Sequence, residues 1–264
     1  MRSTAPRYHV LACASLARAV YAAAAAVPAV VTVDVLPQGL HDRPRHLRSE
    51  LQQRIDRASG PTDGGPDRVD AVLLAYGLCG AATAGLVARE VPLVLTRAHD
   101  CITLHLGGRD RYDAEFAACP GTYWMSRDFL ERNTRGDVAT LGVSPAGLAD
   151  LVARHGPDNA AYLADAMQAW AAAYGRVVWI DGGPGGRADG LRDAAEARAR
   201  AWGLPLEVRP TDHRLVTALL AGEWGADHLV VRPGHRVVVG SPEDVVDARP
   251  VEGPPLPSQK GLEP

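Results

Sequence analysis

The sequence predicts an α/β fold with a mostly parallel sheet of βα units. Short apolar runs alternate with stretches of helical periodicity along most of the chain, as βα units require. The chain has 264 residues, enough to bury a sizeable core as one large domain or as two smaller lobes. Its 47% apolar and 22% charged residues are typical of globular proteins rather than of disordered ones.

The predicted strands are apolar runs bounded by polar or glycine-rich sequence. In chain order they cover Tyr8–Ala12, Val30–Leu36, Ala71–Ala75, Leu93–Thr96, Arg176–Ile180, Leu206–Arg209 and His228–Val231. Helical periodicity predicts helices between most of them. These helices cover Ser15–Ala26, Pro44–Ala58, Ala82–Arg89, Ala146–Ala173, Gly190–Trp202 and Asp212–Ala221.

Two segments interrupt this alternation. Arg57–Arg68 is rich in Gly, Pro and Asp and predicts a loop, and Cys119–Val143 carries a cluster of aromatic residues. We therefore expect two Rossmann-like lobes, an N-terminal lobe over 7–143 that contains the candidate site and a smaller C-terminal lobe over 144–240. From residue 241 the composition turns to Pro, Asp and Glu, which predicts a disordered tail over 241–264.

Composition also narrows the class of partner. The net charge of −3 provides no basic field for nucleic acid or for an anionic membrane, so we expect a role that involves a small-molecule substrate or another protein. The Ala-rich N-terminus has the composition of a signal peptide, but His9, Arg18 and Pro28 interrupt it, and we expect a cytoplasmic protein. No run reaches the roughly 18 apolar residues of a membrane span. In that compartment the four cysteines are expected to be reduced.

Three of the four cysteines follow predicted strands. Cys13 follows the first strand, Cys79 the third and Cys101 the fourth. Ligands bind at the carboxyl ends of strands in open parallel sheets, so we expect these thiols to meet at one edge. Packing as small hydrophobic residues is the alternative for each, and it is our interpretation for Cys119.

Three thiolates suit a soft or borderline metal ion, and zinc takes Cys and His in a tetrahedral set. The sequence therefore predicts zinc held by Cys13, Cys79 and Cys101, with His99 as fourth ligand or with that position open. A [4Fe-4S] cluster with one iron free for substrate is the alternative. A third hypothesis is metal-free, with Cys101 as a nucleophile paired with His99.

Several other residues near these thiols are candidates. His99, Asp100 and Arg97 are candidate catalytic residues because they lie within four residues of Cys101, and solvation is the alternative for Arg97. The candidate substrate contacts are His41, Arg109 and Tyr76, for which solvation or core packing is the alternative. The segment from Asp181 lacks the glycine pattern of a dinucleotide site and the P-loop lysine, which argues against nucleotide binding.

At these same residues the chain resembles a known family. LACASLAR, LPQGLHDRPRHLRSEL, AYGLCGAATAGL, PLVLTRAHDCITLHLGGRDRY and GTYW are similar to the family named domain of unknown function 1638. The likeness covers roughly residues 8–235, with a weaker match around 230–234. GLCG and HDC are its most specific parts, while Ala14 departs from a more usual glycine after the first cysteine.

The resemblance implies an α/β fold and a shared thiol site at Cys13, Cys79 and Cys101. It also implies an association with corrinoid-dependent methyl transfer, so a corrinoid protein is a candidate partner. Our first expectation is therefore a metal-thiolate enzyme, a zinc-dependent transferase or methyltransferase of methyl or one-carbon groups. The alternatives are an iron-sulfur lyase or sulfur-transfer enzyme, and an accessory protein that binds metal or cofactor without turnover.

Overall fold

The structure is a computed structural model that describes residues 5–60, 68–132, 172–185 and 189–251, with isolated positions at 152–153, 156–157 and 159. The predicted α/β class and the mostly parallel sheet are confirmed. Its strands are β1 (Arg7–Cys13), β2 (Val30–Leu36), β3 (Ala71–Ala75), β4 (Leu93–Thr96), β5 (Thr122–Ser126), β6 (Arg176–Asp181), β7 (Leu206–Pro210), β8 (His228–Val231), β9 (His235–Val239) and β10 (Val246–Pro250).

Helices lie between many of these strands. They are α1 (Ala17–Ala26), α2 (Pro44–Ala58), α3 (Cys101–Leu106), α4 (Arg109–Ala118), α5 (Arg127–Glu131), α6 (Asp189–Trp202) and α7 (Arg214–Ala221). Short 3-10 turns precede α1 at Ala14–Leu16 and α2 at Gln38–Asp42. No helix among the described residues is long and apolar enough to cross a membrane.

The first sheet has the strand order β2-β1-β3-β4-β8. The first four strands pair in parallel, and β8 pairs with β4 in the antiparallel direction. The carboxyl ends of β1 to β4 therefore lie along one edge. This edge positions the candidate site.

Helices cover both faces of the first sheet. On one face α1 and α7 pack together, with Val20 and Leu219 fully buried. On the other face α2 buries Leu47, Leu51 and Ile55, which are four residues apart and so share one side of the helix. The β9-β10 hairpin completes that face through Val237 and Val246. Both faces of the central strands β3 and β4 are thus removed from water, as parallel strands require, while the edge strand β2 is partly exposed.

The second sheet is parallel and has the order β5-β6-β7. Its small core contains Met125 and Trp179, packed against α6. The sheets do not follow the expected division at residue 143, because β5 belongs to the second sheet and β8 to the first. The chain therefore passes between the sheets more than once.

Several local predictions were wrong. The segment Ala82–Arg89 forms turns and one isolated bridge from Val87 to Arg236, instead of a helix. The segment from Cys119, expected to interrupt the alternation, contains β5 and α5. The antiparallel direction of β8 and the β9-β10 hairpin were also not foreseen.

The carboxy-terminal segment differs from the expected disordered tail. Residues 241–251 are described and include β10, which pairs with β9, while 252–264 lie outside the described residues. The predicted helix Ala146–Ala173 falls almost wholly outside them as well.

Candidate functional site

The three predicted thiols come from neighbouring strands of the first sheet. Cys13 is the last residue of β1, Cys79 lies in the loop after β3, and Cys101 is the first residue of the helix that follows β4. These three strands are adjacent in the order β1-β3-β4. The sheet therefore brings the three cysteines to the same edge, as the sequence predicts.

Backbone hydrogen bonds hold the loops of Cys79 and Cys101 together. The Leu78 N–H donates to the Ala98 carbonyl at 2.8 Å, and the Cys79 N–H donates to the His99 carbonyl at 2.9 Å. A Cβ at Gly77 would lie 2.6 Å from the Asp100 nitrogen, so only glycine allows this approach. The GLCG motif thus sets one loop directly against the other.

The backbone at Cys79 is strained. Cys79, Gly80 and Ala81 have successive φ angles of 48°, 63° and 66°, in the left-handed region. This conformation costs a non-glycine residue about 1 kcal/mol or more. Such strain persists only where the surrounding structure imposes it, and it concentrates at functional sites. The turn replaces the helix expected from residue 82 onward and places the Cys79 side chain at the sheet edge.

Ser15 joins Cys13 to His105 through hydrogen bonds, and its role was not predicted from the sequence. It is 2% exposed, and its hydroxyl donates to the Cys13 sulfur at 3.1 Å. Its hydroxyl is also close enough to Cys101 to oppose the rise in the pKa of that thiol. Its carbonyl oxygen accepts from the His105 ring at 2.9 Å. Cys101 and His105 are four residues apart on α3, so both lie on the side of this helix that faces Ser15.

The three thiols interact electrostatically and are protonated at neutral pH. Burial raises the pKa of Cys13, Cys79 and Cys101 above the ordinary thiol value. Repulsion from the charged form of Cys13 further raises the pKa of the other two. The sulfur atoms are therefore close enough for a charge on one to change the pKa of the next. A bound cation would reverse both effects, because it favours the thiolate.

Tyr76 and His41, the predicted substrate contacts, stand beside the thiols. Tyr76 is fully buried, and burial followed by the charges of Cys13 and Cys79 raises the pKa of its hydroxyl. Its ring stacks on His41 with centroids 5.9 Å apart. The Tyr76 hydroxyl, His41 Nε2 and Gln38 Oε1 are buried without a hydrogen-bond partner among the described residues. Buried polar groups normally have partners, so these atoms indicate a place for a ligand.

The carboxylate of Asp100 has a structural role. Its side chain caps α3 by accepting from the Ile102 and Thr103 backbone N–H groups at 2.9 and 3.3 Å. Its other oxygen accepts from the Tyr112 hydroxyl at 3.3 Å. The cap holds the first turn of α3, and therefore Cys101, in place. His99 stacks on the Tyr112 ring with centroids 5.7 Å apart.

The two arginines predicted to act at the site bind the carboxy-terminal segment instead. The Arg97 guanidinium donates to the Asp244 carboxylate at 3.1 Å and to the Val246 carbonyl at 2.5 Å. Arg109 donates to the Glu243 carbonyl. These contacts explain the order of the segment before β10. The guanidinium groups that the sequence assigned to catalysis and to substrate binding therefore have other partners in the structure.

Cys119 stands apart from the other three cysteines. Its sulfur lies next to the second sheet, where it donates to the Gly121 carbonyl at 3.5 Å. The interpretation that it packs as a structural residue fits this position. Within the described residues, no group of three or more His, Cys, Asp or Glu side chains is arranged to hold a metal ion as it stands. Metal binding at the three thiols would therefore require them to ionise and turn toward a common point.

A second group of polar residues lies in a crevice where the two sheets approach each other. His105 Nδ1 lies 3.2 Å from His213 Nε2, and Asp128 is 4% exposed nearby. The Asp128 charge contributes to the raised pKa of Cys13, so the crevice adjoins the thiols. The sequence assigns no site role to these residues, because they come from distant segments and form no local motif.

Stability is expected to depend on pH through Asp128. Burial raises its pKa from the ordinary 3.8 to about 6. The unfolded chain loses this proton near pH 4 and the folded chain near pH 6, so stability falls as pH rises through this window. Replacing Asp128 with asparagine should remove the cost and, relative to the wild type, raise the free energy of unfolding at pH 7.5 by about 2 kcal/mol more than at pH 4.5. Urea unfolding at the two pH values measures the difference.

Asp110→Asn is the control, because Asp110 is exposed on α4. It should give the same free energy difference from the wild type at both pH values. An Asp128→Asn effect independent of pH, or larger at pH 4.5, would contradict the assigned burial of this carboxylate.

Comparison with protein families supports the predicted resemblance. A family model described as a protein of unknown function, DUF1638, matches residues 35–220. Cys79 and Cys101 lie inside the matched range, and Cys13 lies before it. Neither the curated proteins nor the solved structures give a match. Because the match spans more than half of the chain, this protein belongs to the DUF1638 family.

Proposed function

We propose that the protein is a metal-thiolate enzyme that acts in methyl or one-carbon group transfer, with zinc held by Cys13, Cys79 and Cys101. The observation that supports the proposal is that three cysteines, each at or just after the end of one of three adjacent strands, lie at one edge of the sheet. If the cysteines served only as small core residues, we would not expect all three to lie at this edge.

The chain's own residues position these sulfur atoms. The Ser15 hydroxyl donates to Cys13 and orients its sulfur, while the Asp100 cap fixes the start of α3 and with it Cys101. The strained turn at Cys79 brings the third sulfur to the same edge. Zinc, when bound, keeps a thiolate deprotonated at neutral pH, which is the reactive form in group transfer.

The further parts of the proposal concern substrate, partner and architecture. The unpartnered atoms of Tyr76 and His41 favour a small-molecule substrate at the thiol edge. We infer a corrinoid protein as the partner, on the family resemblance, and two Rossmann-like lobes that meet at the crevice. A reducing compartment, the cytoplasm, suits three free thiols.

A [4Fe-4S] cluster is the second candidate, and the position of His99 favours it. His99 stacks on Tyr112, and none of its described contacts reaches the sulfur atoms. Three cysteines without a histidine would leave one iron free for substrate, as Lewis-acid chemistry requires.

The metal content of anaerobically purified protein tests the proposal. We expect about one zinc per chain by mass spectrometry, and a severe loss of it in Cys13→Ser, Cys79→Ser and Cys101→Ser, because serine oxygen is a poor zinc ligand. Cys119→Ser is the matched control and should retain the wild-type content. A brown protein with iron and sulfide would support the cluster instead of zinc.

Two results would overturn the proposal. One is an absence of any metal in the wild type, with no uptake when zinc is supplied under reducing conditions. The other is equal metal content in the Cys119→Ser protein and in the three other variants, which would place the metal elsewhere. Circular dichroism of each variant separates loss of metal from loss of fold.

A further inference from the structure

His41 lies at the same sheet edge as the three thiols. It belongs to the 3-10 turn Gln38–Asp42, which follows β2. This strand pairs in parallel with β1, and Leu36 at its end lies beside Cys13. Each of the four parallel strands therefore ends near one residue that can bind a soft or borderline metal ion, a histidine after β2 and a cysteine at or after each of β1, β3 and β4.

A hydrogen bond fixes which nitrogen of His41 carries the proton. Its Nδ1 lies 2.8 Å from the Gln38 carbonyl oxygen, which can only accept, so Nδ1 is the donor. In the neutral ring, Nε2 is then an acceptor. This nitrogen is buried and has no hydrogen-bond partner among the described residues. Histidines that bind metal ions almost always have this arrangement, in which one nitrogen donates to a carbonyl or carboxylate and the other binds the metal.

Tyr76 connects His41 to the thiols. Its ring stacks on the His41 ring with a centroid distance of 5.9 Å and an interplanar angle of 21°. Burial first, and then the charges of the three thiols, raise the pKa of its hydroxyl. The side chain that contacts His41 is thus within electrostatic range of all three sulfur atoms. The imidazole and the thiols therefore border the same buried region.

The two other histidines near the thiols are less suited to bind a metal there. Both ring nitrogens of His105 have partners, since Nε2 lies 2.9 Å from the Ser15 carbonyl and Nδ1 lies 3.2 Å from His213 Nε2. His99, the fourth ligand that the sequence predicts, stacks on Tyr112 instead. In the described part of the chain no hydrogen bond orients its ring.

A neutral fourth ligand also suits the charge of a buried site. Three thiolates around Zn²⁺ leave one net negative charge, and a carboxylate ligand would add a second, which burial makes costly. The nearby carboxylate of Asp100 already accepts from two backbone N–H groups of α3. The imidazole of His41 adds no charge, so it fits the site better than this acidic neighbour.

We propose that His41 Nε2 is the fourth ligand of the zinc ion held by the three thiols. This inference rests on the proposed function and completes its metal site. Three sulfur atoms and one imidazole nitrogen are a tetrahedral set that zinc takes in proteins, and zinc can expand to a fifth ligand when a substrate reacts. His41 is then a metal ligand instead of a substrate contact, while the Tyr76 hydroxyl and Gln38 Oε1 remain for the substrate.

Nuclear magnetic resonance with ¹⁵N-histidine labelling tests the inference, with zinc alone as the probe. In reduced, metal-free protein we expect His41 to carry its proton on Nδ1, its signals being identified by their absence in His41→Gln. An equimolar amount of zinc should move the His41 Nε2 resonance while Nδ1 keeps its proton. The His46 signals are the internal control and should stay in place, because His46 is exposed on α2.

Zinc affinity, measured by competition with a chelator, is the second readout. His41→Gln should weaken zinc binding by at least about tenfold, because even the loss of a group that only orients a ligand has an effect of this size. His46→Gln is the matched control, and His99→Gln tests the ligand predicted from the sequence. Both should bind zinc as the wild type does. Should His41→Gln fail to fold, the wild-type resonances still decide, with the His41 ring assigned through its backbone amide.

The possible failures are distinguishable. If zinc binds, Cys101→Ser abolishes the binding and the His41 Nε2 resonance stays in place, the thiol site stands but the inference is wrong, and a buried water is the partner of this nitrogen. A proton on Nε2 in the metal-free protein, or a loss of affinity in His99→Gln instead of His41→Gln, would also overturn the inference alone. Absence of zinc uptake by the wild type would overturn the proposed function and the inference together.

Discussion

Replacing Gly77 with alanine is expected to lower the free energy of unfolding by about 3 kcal/mol and, if the thiols hold a metal as proposed, to reduce its retention. The added Cβ would lie 2.6 Å from the Asp100 nitrogen and 2.8 Å from the Ala98 carbonyl oxygen. Both are backbone atoms that cannot rotate away. The loop after β4 must therefore move, and it carries Cys101 away from Cys79.

Gly190→Ala is the matched control for this prediction. Gly190 lies in α6, and a Cβ added there would have no atom within 4 Å, so alanine should be neutral or stabilise by up to about 1 kcal/mol. Urea unfolding followed by circular dichroism gives the free energies, and mass spectrometry gives the bound metal. Equal stability of Gly77→Ala and the wild type would show that the two loops are not in contact.

The second large effect is expected at Arg176, which is buried in the second sheet. Its guanidinium binds Glu115 at 2.7 Å, Glu207 at 3.0 Å and Thr122 Oγ1 at 2.8 Å, with a side chain 6% exposed. Arg176→Met keeps the apolar stem but removes every one of these hydrogen bonds. Because both carboxylates lose one arginine partner but keep Arg209, the free energy of unfolding should fall by about 2 kcal/mol.

Arg200→Met serves for comparison. Arg200 is 70% exposed and pairs with Glu196 at 3.7 Å, so its loss should change stability by no more than about 0.5 kcal/mol. Urea unfolding of both variants, in the same buffer, measures the contrast. A cost at Arg176 as small as that at Arg200 would mean that its ion pairs contribute nothing to the second sheet.

Most strands of both sheets could be predicted from the sequence. Ala71–Ala75 and Leu93–Thr96 have the predicted bounds, because these central strands are buried on both faces and form continuous apolar runs. Val30–Leu36 also has them, although β2 is a partly exposed edge strand, because its β-branched residues favour strands. The strand β5 was missed, since its aromatic residues carry no such uninterrupted run. The direction of β8 was also not predictable, because local composition is the same for parallel and antiparallel pairing.

The predicted helix at Ala82–Arg89 shows the limit of periodicity. Its residues have good helix propensity, yet Cys79, Gly80 and Ala81 adopt left-handed φ angles and the following backbone bonds the hairpin. Contacts with Val237 and His235, more than 140 residues away, decide this conformation. Propensity is a weak preference that tertiary contacts override.

By itself the sequence determined the α/β class, the family and the convergence of Cys13, Cys79 and Cys101, because parallel strands place their carboxyl ends at one edge whatever the loops do. Only the tertiary structure decided the rest of the site. In the folded chain, Arg97 and Arg109 bind the carboxy-terminal segment. The side chains that lie together in one region are Ser15, His105, His213 and Asp128. These side chains are distant along the chain, and no local pattern records a contact that depends on how two sheets pack.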